Sequence, residues 1–362
     1  MRITLIIYSL GAGGAERVLS IMANYWAARG WTINLLTLVD SRESAFYELH
    51  PAVAVRALGI DRVSTNPAQA VLNNLTRLLA LRRAIKTTAP DAVISFMDRT
   101  NVLVLAAMLG TKTPIVVAER NDPGQRSIGK SWTLLRRRLY PRAAQIVTQT
   151  ENARQYFAPN VRRRSRVIPN PMRPVPATGS TQDRQKVVIA VGRLEKQKGF
   201  DLLLQAFAGI ATQHPQWSLE IWGEGTLRAA LETQTRALNL ENRVRLPGRT
   251  QRLFEQMQQS QIFVLSSRYE GFPNVLGEAM ACGLAAVSFD CPSGPREIIR
   301  DGVDGVLVPP NDVAALAAAL SALMNDEPRR VELAARAPEV VARFSEDKVM
   351  ALWETVVREV IA

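Results

Sequence analysis

Short, continuous runs of Val, Ile, Leu and Ala recur from one end of this 362-residue chain to the other, and segments with helical spacing separate them. A strand that is apolar at every position must be covered on both faces. Strands of that kind joined by helices build parallel sheets with helices packed on either side. The runs fall at 3–8, 33–38, 54–58, 92–96, 115–118 and 145–148, with a short one at 167–168. A second series follows at 187–191, 218–222, 244–246, 262–265, 286–289 and 305–308. Between them, 169–184 carries four prolines, a glycine and polar residues and reads as a linker. The length also exceeds one ordinary core. The fold class is therefore α/β, with two doubly wound, Rossmann-like domains at 1–170 and 180–344. The last helical pattern, 345–362, opens with the capping residues Ser345-Glu346-Asp347 and can pack back on the first domain. In open α/β sheets ligands bind beyond the carboxyl ends of the strands, so a central cleft faced by both domains is the expected site.

Composition narrows the class. The chain is 47% hydrophobic and 22% charged, as in a soluble globular protein. No run reaches the ~20 apolar residues that a bilayer span needs. Met1-Arg2-Ile3-Thr4-Leu5-Ile6-Ile7 and the small residues after it have some look of a signal peptide. The same pattern returns deeper in the chain as a buried strand, so it reads as a first strand. Cys282 and Cys291 lack metal spacing and form no disulfide framework, which points to a reducing cytoplasm. The net charge of +12 is uneven: residues 1–180 hold 25 Lys/Arg against 10 Asp/Glu, and residues 181–362 hold 20 against 23. Such asymmetry suggests that the first half meets an anionic surface, although scattered Arg serving solubility would give the same count.

The most informative motif follows the run at 262–265. It reads Ser266-Ser267-Arg268-Tyr269-Glu270-Gly271-Phe272-Pro273-Asn274-Val275-Leu276-Gly277-Glu278. The expected geometry is strand, loop, helix start, with Glu270 on the loop and Glu278 about one turn inside the helix. Free N–H groups at a helix start attract anions. A carboxylate pair beside an anion site suits a ligand carrying both phosphates and hydroxyls, and a nucleotide sugar is such a ligand. The run at 187–191 leads into Gly192-Arg193-Leu194-Glu195-Lys196-Gln197-Lys198-Gly199. A strand entering a glycine turn and then cations suits a diphosphate, with Arg193 giving a forked contact and Lys198 a point charge. Alone, this segment could equally be a solvated loop before a helix. Its pairing with the two glutamates, at strand ends of the same domain, favours the diphosphate.

The two glutamates with seven residues between them, together with the Gly-Arg…Lys-Gly loop, resemble the retaining glycosyltransferases of family 4, which have the GT-B fold. Gly11-Ala12-Gly13-Gly14-Ala15-Glu16 resembles their glycine loop after the first strand. Ile221-Trp222-Gly223-Glu224-Gly225 and Val244-Arg245-Leu246-Pro247-Gly248 resemble two further blocks in the right order, so the resemblance covers nearly the whole chain. It implies transfer of a hexose or N-acetylhexosamine from a nucleoside-diphosphate sugar, UDP-linked. Arg193 and Lys198 would hold the donor diphosphate and stabilise the leaving nucleoside diphosphate. Glu278 would accept hydrogen bonds from the ribose, and Glu270 would lie near the transferred sugar. The backbone along Gly271, Phe272, Pro273, Asn274, Val275 and Leu276 would contact sugar and phosphate, and Leu246, Pro247 and Thr250 the base. Gly13 and Gly14 would allow close backbone approach. Many such enzymes place a His in the first domain near the reacting centre. His50 and His214 are not well placed for this, so Asp98 or Asn101 would substitute, with Glu119 a second candidate. No Asp-x-Asp pair occurs, so no metal is expected, and no cofactor either. In the same-face substitution proposed for the family, cations and helix N–H groups stabilise the departing diphosphate, whose oxygen takes the acceptor proton. A covalent glycosyl–Glu270 intermediate is the contrasting idea and ranks lower.

Two basic segments bear on the acceptor. In 126–142, Ile128, Trp132, Leu135 and Leu139 form a helical stripe among Arg126, Lys130, Arg136, Arg137, Arg138 and Arg142. In 72–86, Leu72, Leu75 and Leu79 stand against Arg77, Arg82, Arg83 and Lys86. Such helices can lie on an anionic membrane or pack their stripe inward. The charge imbalance favours the membrane for at least one. Arg77, Arg82, Arg83, Lys86, Arg136, Arg137 and Arg138 are thus expected to seat a peripheral enzyme on the cytoplasmic leaflet, or to hold a polyprenyl-diphosphate-linked glycan acceptor. A soluble acceptor is the alternative. A dinucleotide-dependent oxidoreductase would use Gly11-x-Gly13 and Asp40, but its third glycine position holds Glu16. A nucleic-acid binder lacks a recognisable reading module or stacking array here.

Overall fold

The computed structural model describes residues 1–40, 45–61, 67–125, 127–175 and 184–362, with the backbone alone for 67, 68 and 70–72. Met1–Pro171 and Asp347–Ala362 form one compact unit, and Met172–Glu346 forms the other.

The first unit holds a seven-stranded sheet of order β3-β2-β1-β4-β5-β6-β7, all pairs parallel. Its strands are β1 (Arg2–Ile7), β2 (Thr32–Thr37), β3 (Ala54–Ala57), β4 (Ala92–Phe96), β5 (Ile115–Ala118), β6 (Gln145–Thr148) and β7 (Ser165–Val167). The helices are α1 (Gly14–Ala27), α2 (Pro67–Thr88), α3 (Asp98–Ala107), α4 (Lys130–Leu139), α5 (Glu151–Gln155) and α6 (Pro159–Arg162). Every side chain of β4 and β5 is buried, as full coverage of both faces requires. On β1, Ile3, Leu5 and Ile7 join a cluster with Met22 and Trp26 of α1, while Ile6 joins the opposite cluster with Leu81 and Ile85 of α2. The last helix of the chain completes the first cluster: Trp353 is fully buried, with its ring 6.0 Å from that of Phe96.

The second unit repeats the plan in a six-stranded parallel sheet of order β10-β9-β8-β11-β12-β13. Its strands are β8 (Gln185–Val191), β9 (Ser218–Trp222), β10 (Val244–Gly248), β11 (Ser260–Leu265), β12 (Ala285–Phe289) and β13 (Val306–Val308). Its helices are α7 (Phe200–Ala208), α8 (Arg228–Ala237), α9 (Leu253–Gln259), α10 (Asn274–Ala281), α11 (Pro295–Ile298), α12 (Val313–Asn325), α13 (Glu327–Arg336) and α14 (Glu339–Arg343), and α15 (Glu346–Ile361) returns to the first unit. Leu203, Phe207 and Leu320 cover one face, and Met257, Leu276 and Met280 the other. Strand order reverses between β8 and β11, and in the first unit between β1 and β4. Loops leave such a point in opposite directions and open a crevice at the strands' carboxyl ends.

Both ends of the expected linker are tied down. Asn170 is bonded within the first unit, Met172 N–H donates to Phe344 C=O at 2.7 Å, and the Arg184 guanidinium caps the carbonyls of Cys282 and Gly283. Residues 176–183 lie outside the described residues. No described helix is long and apolar enough to cross a membrane.

Candidate active site

The crevice of the second unit is built by the loops after β8 and β11. After β8 the chain passes Gly192 and Arg193, makes a 3-10 turn over Lys196–Lys198 and enters α7 through Gly199, at φ 62°. Glycine is required there for two reasons: its φ is left-handed, and a Cβ would sit 2.0 Å from the Ser266 carbonyl oxygen. Ser266 Oγ donates to Lys198 C=O at 2.9 Å, and Arg268 N–H to Gln197 C=O at 2.8 Å. Arg268 also grips Asp201 with both ends of its fork, at 2.8 and 2.7 Å. That grip, more than the opposing burial, holds the Asp201 carboxyl below the usual range. The two loops are thus one rigid body.

This clasp places Lys198 Nζ 2.6 Å from Glu270 Oε1, and Ser267 Oγ donates to the same oxygen at 2.6 Å. The Lys198 and Glu270 side chains are only 15% and 7% exposed, so the pair interacts in a weakly screened setting. The stem of Lys198 runs over Gly192, where a Cβ would meet three of its carbons at 3.1 Å. Nearby, burial and the Glu270 carboxylate push the Cys291 thiol up, so it stays protonated and unreactive. Helix α10 opens at Asn274 without a side-chain cap, and Glu278 is its fifth residue, half-buried. Gly294, at φ 103°, lets the β12 loop lie against the helix start, since a Cβ would come within 2.4 Å of Pro273 Cδ. Lys198 and Glu270 therefore meet at the sheet's switch point, and the segment from Gly271 to Leu276 carries the chain from Glu270 into α10. Arg193, on the loop that leads to Lys198, has an exposed side chain that makes no hydrogen bond among the described residues, while its carbonyl accepts from Glu195 N–H at 2.7 Å.

Leu246 and Pro247 line a pocket of about 430 Å³ with Glu220, Trp222, Arg245 and Gln256. Glu220 accepts from Trp222 Nε1 at 2.9 Å and pairs with Arg245. Sequence reasoning gave no role to Glu220, Trp222, Arg245 or Gln256, which come from β9, the edge strand β10 and α9. Thr250 is not among the lining residues; its hydroxyl caps Arg252 N–H at 3.0 Å.

In the first unit the glycine loop precedes α1, and a Cβ on Gly13 would come within 2.0 Å of a Glu16 carboxylate oxygen. Gly14 is the first residue of the helix. An acid over that helix start opposes a dinucleotide pyrophosphate there, which disposes of the oxidoreductase alternative. At the end of β4, Met97 adopts φ 80°, a strained value for a residue with a side chain. Asp98 follows as the first residue of α3, mostly buried, accepting from Arg99 N–H at 2.6 Å. Asn101 and Glu119 lie deeper. Asn101 Nδ2 donates to Ala118 C=O at 3.0 Å and to Tyr140 at 3.2 Å. The Tyr140 hydroxyl donates to Glu119 at 2.5 Å, and burial, then Glu119, raises its pKa well above normal. Glu119 also faces Arg136 at 3.7 Å, with both side chains at most 4% exposed. Asn101 and Glu119 are thus joined to the network that fastens α3 and α4 to the sheet.

That network corrects one expectation for the basic helices. Arg136 is turned inward, donating to Tyr156 OH at 2.6 Å, because Glu119 offers a counter-charge and the tyrosine a ring and an oxygen. Arg82 caps the carbonyls of Ala107 and Leu109, and Arg77 donates to Ile60 C=O at 2.6 Å, so both serve packing. Arg83, Lys86, Arg137 and Arg138 are exposed. So are Leu75, Leu79, Leu134 and Leu135, whereas Ile128 and Leu139 are buried. The Leu72 side chain and Arg126 lie outside the described residues.

Comparison with known proteins gives this geometry a family. Residues 13–171 match the family described as Glycosyl transferase 4-like domain, and residues 176–340 match Glycosyl transferases group 1. An exopolysaccharide phosphotransferase of Streptomyces coelicolor is 31% identical across 100% of this chain, which spans 41% of that longer relative. A Campylobacter jejuni GalNAc-alpha-(1->4)-GalNAc-alpha-(1->3)-diNAcBac-PP-undecaprenol alpha-1,4-N-acetyl-D-galactosaminyltransferase is 29% identical, and the alignment covers 99% of each chain. Among solved structures, Anabaena HepE in complex with UDP and glucose superposes with a TM-score of 0.80 at 19% identity, over 99% of this chain and 100% of its own. Two adjoining family matches over nearly all of the sequence, on two parallel-sheet units of this topology, show that the chain belongs to glycosyltransferase family 4, with the GT-B fold.

Proposed function

We propose that this protein transfers a hexose or N-acetylhexosamine from a UDP-sugar to a lipid-linked glycan acceptor, with retention at the anomeric carbon and without a metal ion. The observation that carries the reading is the Lys198–Glu270 pair at 2.6 Å, fixed at a switch point beside the start of α10. Breaking the bond from anomeric carbon to phosphate builds negative charge on the diphosphate and positive character on the sugar. Lys198, Arg193 and the N–H groups opening α10 would stabilise the first. Glu270, beside the same loop, would bind the sugar's hydroxyls and face the second. Glu278, on the helix, would accept from the ribose, and the pocket at Leu246 and Pro247 would take the base. The leaving phosphate oxygen would receive the acceptor's proton, so no dedicated base is needed. Asp98 is the acceptor-side candidate nearest the end of β4.

The acceptor class draws on the Campylobacter relative, whose name gives an undecaprenol-diphosphate-linked substrate, and the uridine base on the HepE complex. Exposed Arg83 and Lys86 with Leu75 and Leu79 on α2, and Arg137 and Arg138 with Leu134 and Leu135 on α4, suit a peripheral seat on the anionic cytoplasmic leaflet.

A thermal-shift panel of UDP, GDP, ADP and their sugars, followed by transfer to an undecaprenyl-diphosphate glycan in EDTA, tests the reading. UDP should raise the melting temperature, and NMR of the product should show the donor's anomeric configuration. An inverted product, or no response to any nucleoside diphosphate, would sink it.

A further inference from the structure

Arg120 is the most unusual charge in the molecule. It sits just beyond β5, 7% exposed, with its guanidinium 4.7 Å above the Phe96 ring. One nitrogen donates to Asn170 Oδ1. Among the described residues Nε and Nη1 have no hydrogen-bond partner, and neither is in contact with solvent. Burial alone pulls its pKa down, to about 9, with no carboxylate contributing. Glu119, its neighbour in sequence, faces Tyr140 and Arg136 instead. Gln149, just past β6, donates to the same Asn170 oxygen at 2.7 Å and leaves its own Oε1 without a donor. The ends of β5, β6 and β7 thus gather an uncompensated cation, unused N–H groups and an unused carbonyl.

Such a cluster is costly as packing, because a buried charge calls for a counter-charge and a buried N–H for an acceptor. An ordered water could satisfy an N–H group but brings no charge. An oxyanion would do both, and a hydroxyl beside it would supply the donor that Gln149 Oε1 lacks. We infer that Arg120, with Gln149 and Asn170, binds an oxyanion flanked by a hydroxyl on the acceptor substrate, as in a sugar phosphate or a uronic acid. The inference rests on the glycosyl-transfer reading, which leaves the donor diphosphate to Arg193 and Lys198 of the other unit.

Thermal unfolding of the full chain, in sodium phosphate against sodium chloride at equal ionic strength, tests it in Lys198→Gln, Arg120→Met and the double variant. Phosphate should stabilise Lys198→Gln, and adding Arg120→Met should abolish that response. In chloride, Arg120→Met should melt about 2 °C or more above wild type, since an apolar side chain of similar length removes the unpaired charge. Arg120→Lys should keep a weakened phosphate response. The stabilisation by UDP should be unchanged in Arg120→Met and lost in Lys198→Gln. A phosphate response that survives Arg120→Met, or a variant that melts below wild type or does not fold, would overturn the inference and make Arg120 a packing residue. A UDP response that falls with Arg120→Met would also overturn it, assigning the cation to the donor. Loss of the UDP response in no variant would count against the donor reading alone.

Discussion

The Lys198 ammonium and the Glu270 carboxylate stand 2.6 Å apart and bridge the loops that follow β8 and β11. Each partly neutralises the other, and the two have opposite tasks in the proposed reaction. Glu270→Gln keeps the side chain's size and its capacity to accept from Ser267, but frees Lys198 for an anion. It should bind UDP as tightly as wild type or more tightly, and lose about 10²–10³-fold in kcat. Lys198→Gln should lose both. Calorimetric titration with UDP beside steady-state kinetics separates them; full kcat in Glu270→Gln would exclude both hydroxyl binding and covalent catalysis by this residue.

Gly199 sets how closely the two loops can meet. Alanine there would combine a left-handed φ with a Cβ 2.0 Å from a carbonyl oxygen. Strain and overpacking together should cost about 3 kcal/mol or more. Because the Lys198–Glu270 contact depends on this approach, Gly199→Ala should also weaken UDP binding. A variant with wild-type melting temperature would show that the β11 loop yields freely.

The basic helices make a split prediction. Replacing Arg83, Lys86, Arg137 and Arg138 with Gln should weaken co-sedimentation with anionic vesicles, at about 1 kcal/mol per charge, without lowering stability. Arg136→Gln should leave vesicle binding alone and destabilise the fold by about 3 kcal/mol, because it removes a buried cation that faces Glu119 and donates to Tyr156. Vesicle binding that survives the fourfold variant would remove the membrane seat.

The contrast between Arg136 and its neighbours marks where sequence reading stops. The strands were legible because a doubly covered parallel strand cannot hide its uninterrupted apolar run; β4, β5, β6 and β9 lie where the runs do. The glycine turn before Lys198 and the helix start after Glu270 were legible because such turns and starts have local signatures; that the two loops clasp each other at Gly199 was not. Whether a helix arginine points outward is decided by what waits beneath it, and Glu119 lies 17 positions from Arg136 in sequence. The Arg120 cluster escaped for the same reason: its members come from the ends of three strands, and only folding shows that no carboxylate among the described residues joins them. The pocket at Glu220 and Trp222 likewise depends on how α9 lies over an edge of the sheet.

The closing helix offers a last test. Trp353 is fully buried in the first unit's core and stacks on Phe96, the last residue of β4. Removing its ring should leave a cavity against the sheet and cost about 3–5 kcal/mol. Trp353→Phe should cost much less, because it keeps most of the volume and eliminates an indole N–H that has no partner among the described residues. Since β4 leads into Met97 and Asp98, Trp353→Ala should impair acceptor use more than UDP binding, which belongs to the other unit. Chemical denaturation monitored by tryptophan fluorescence, with UDP titration of each variant, checks both parts. Equal stability of the Ala and Phe variants would show that α15 is a dispensable cover rather than part of the core.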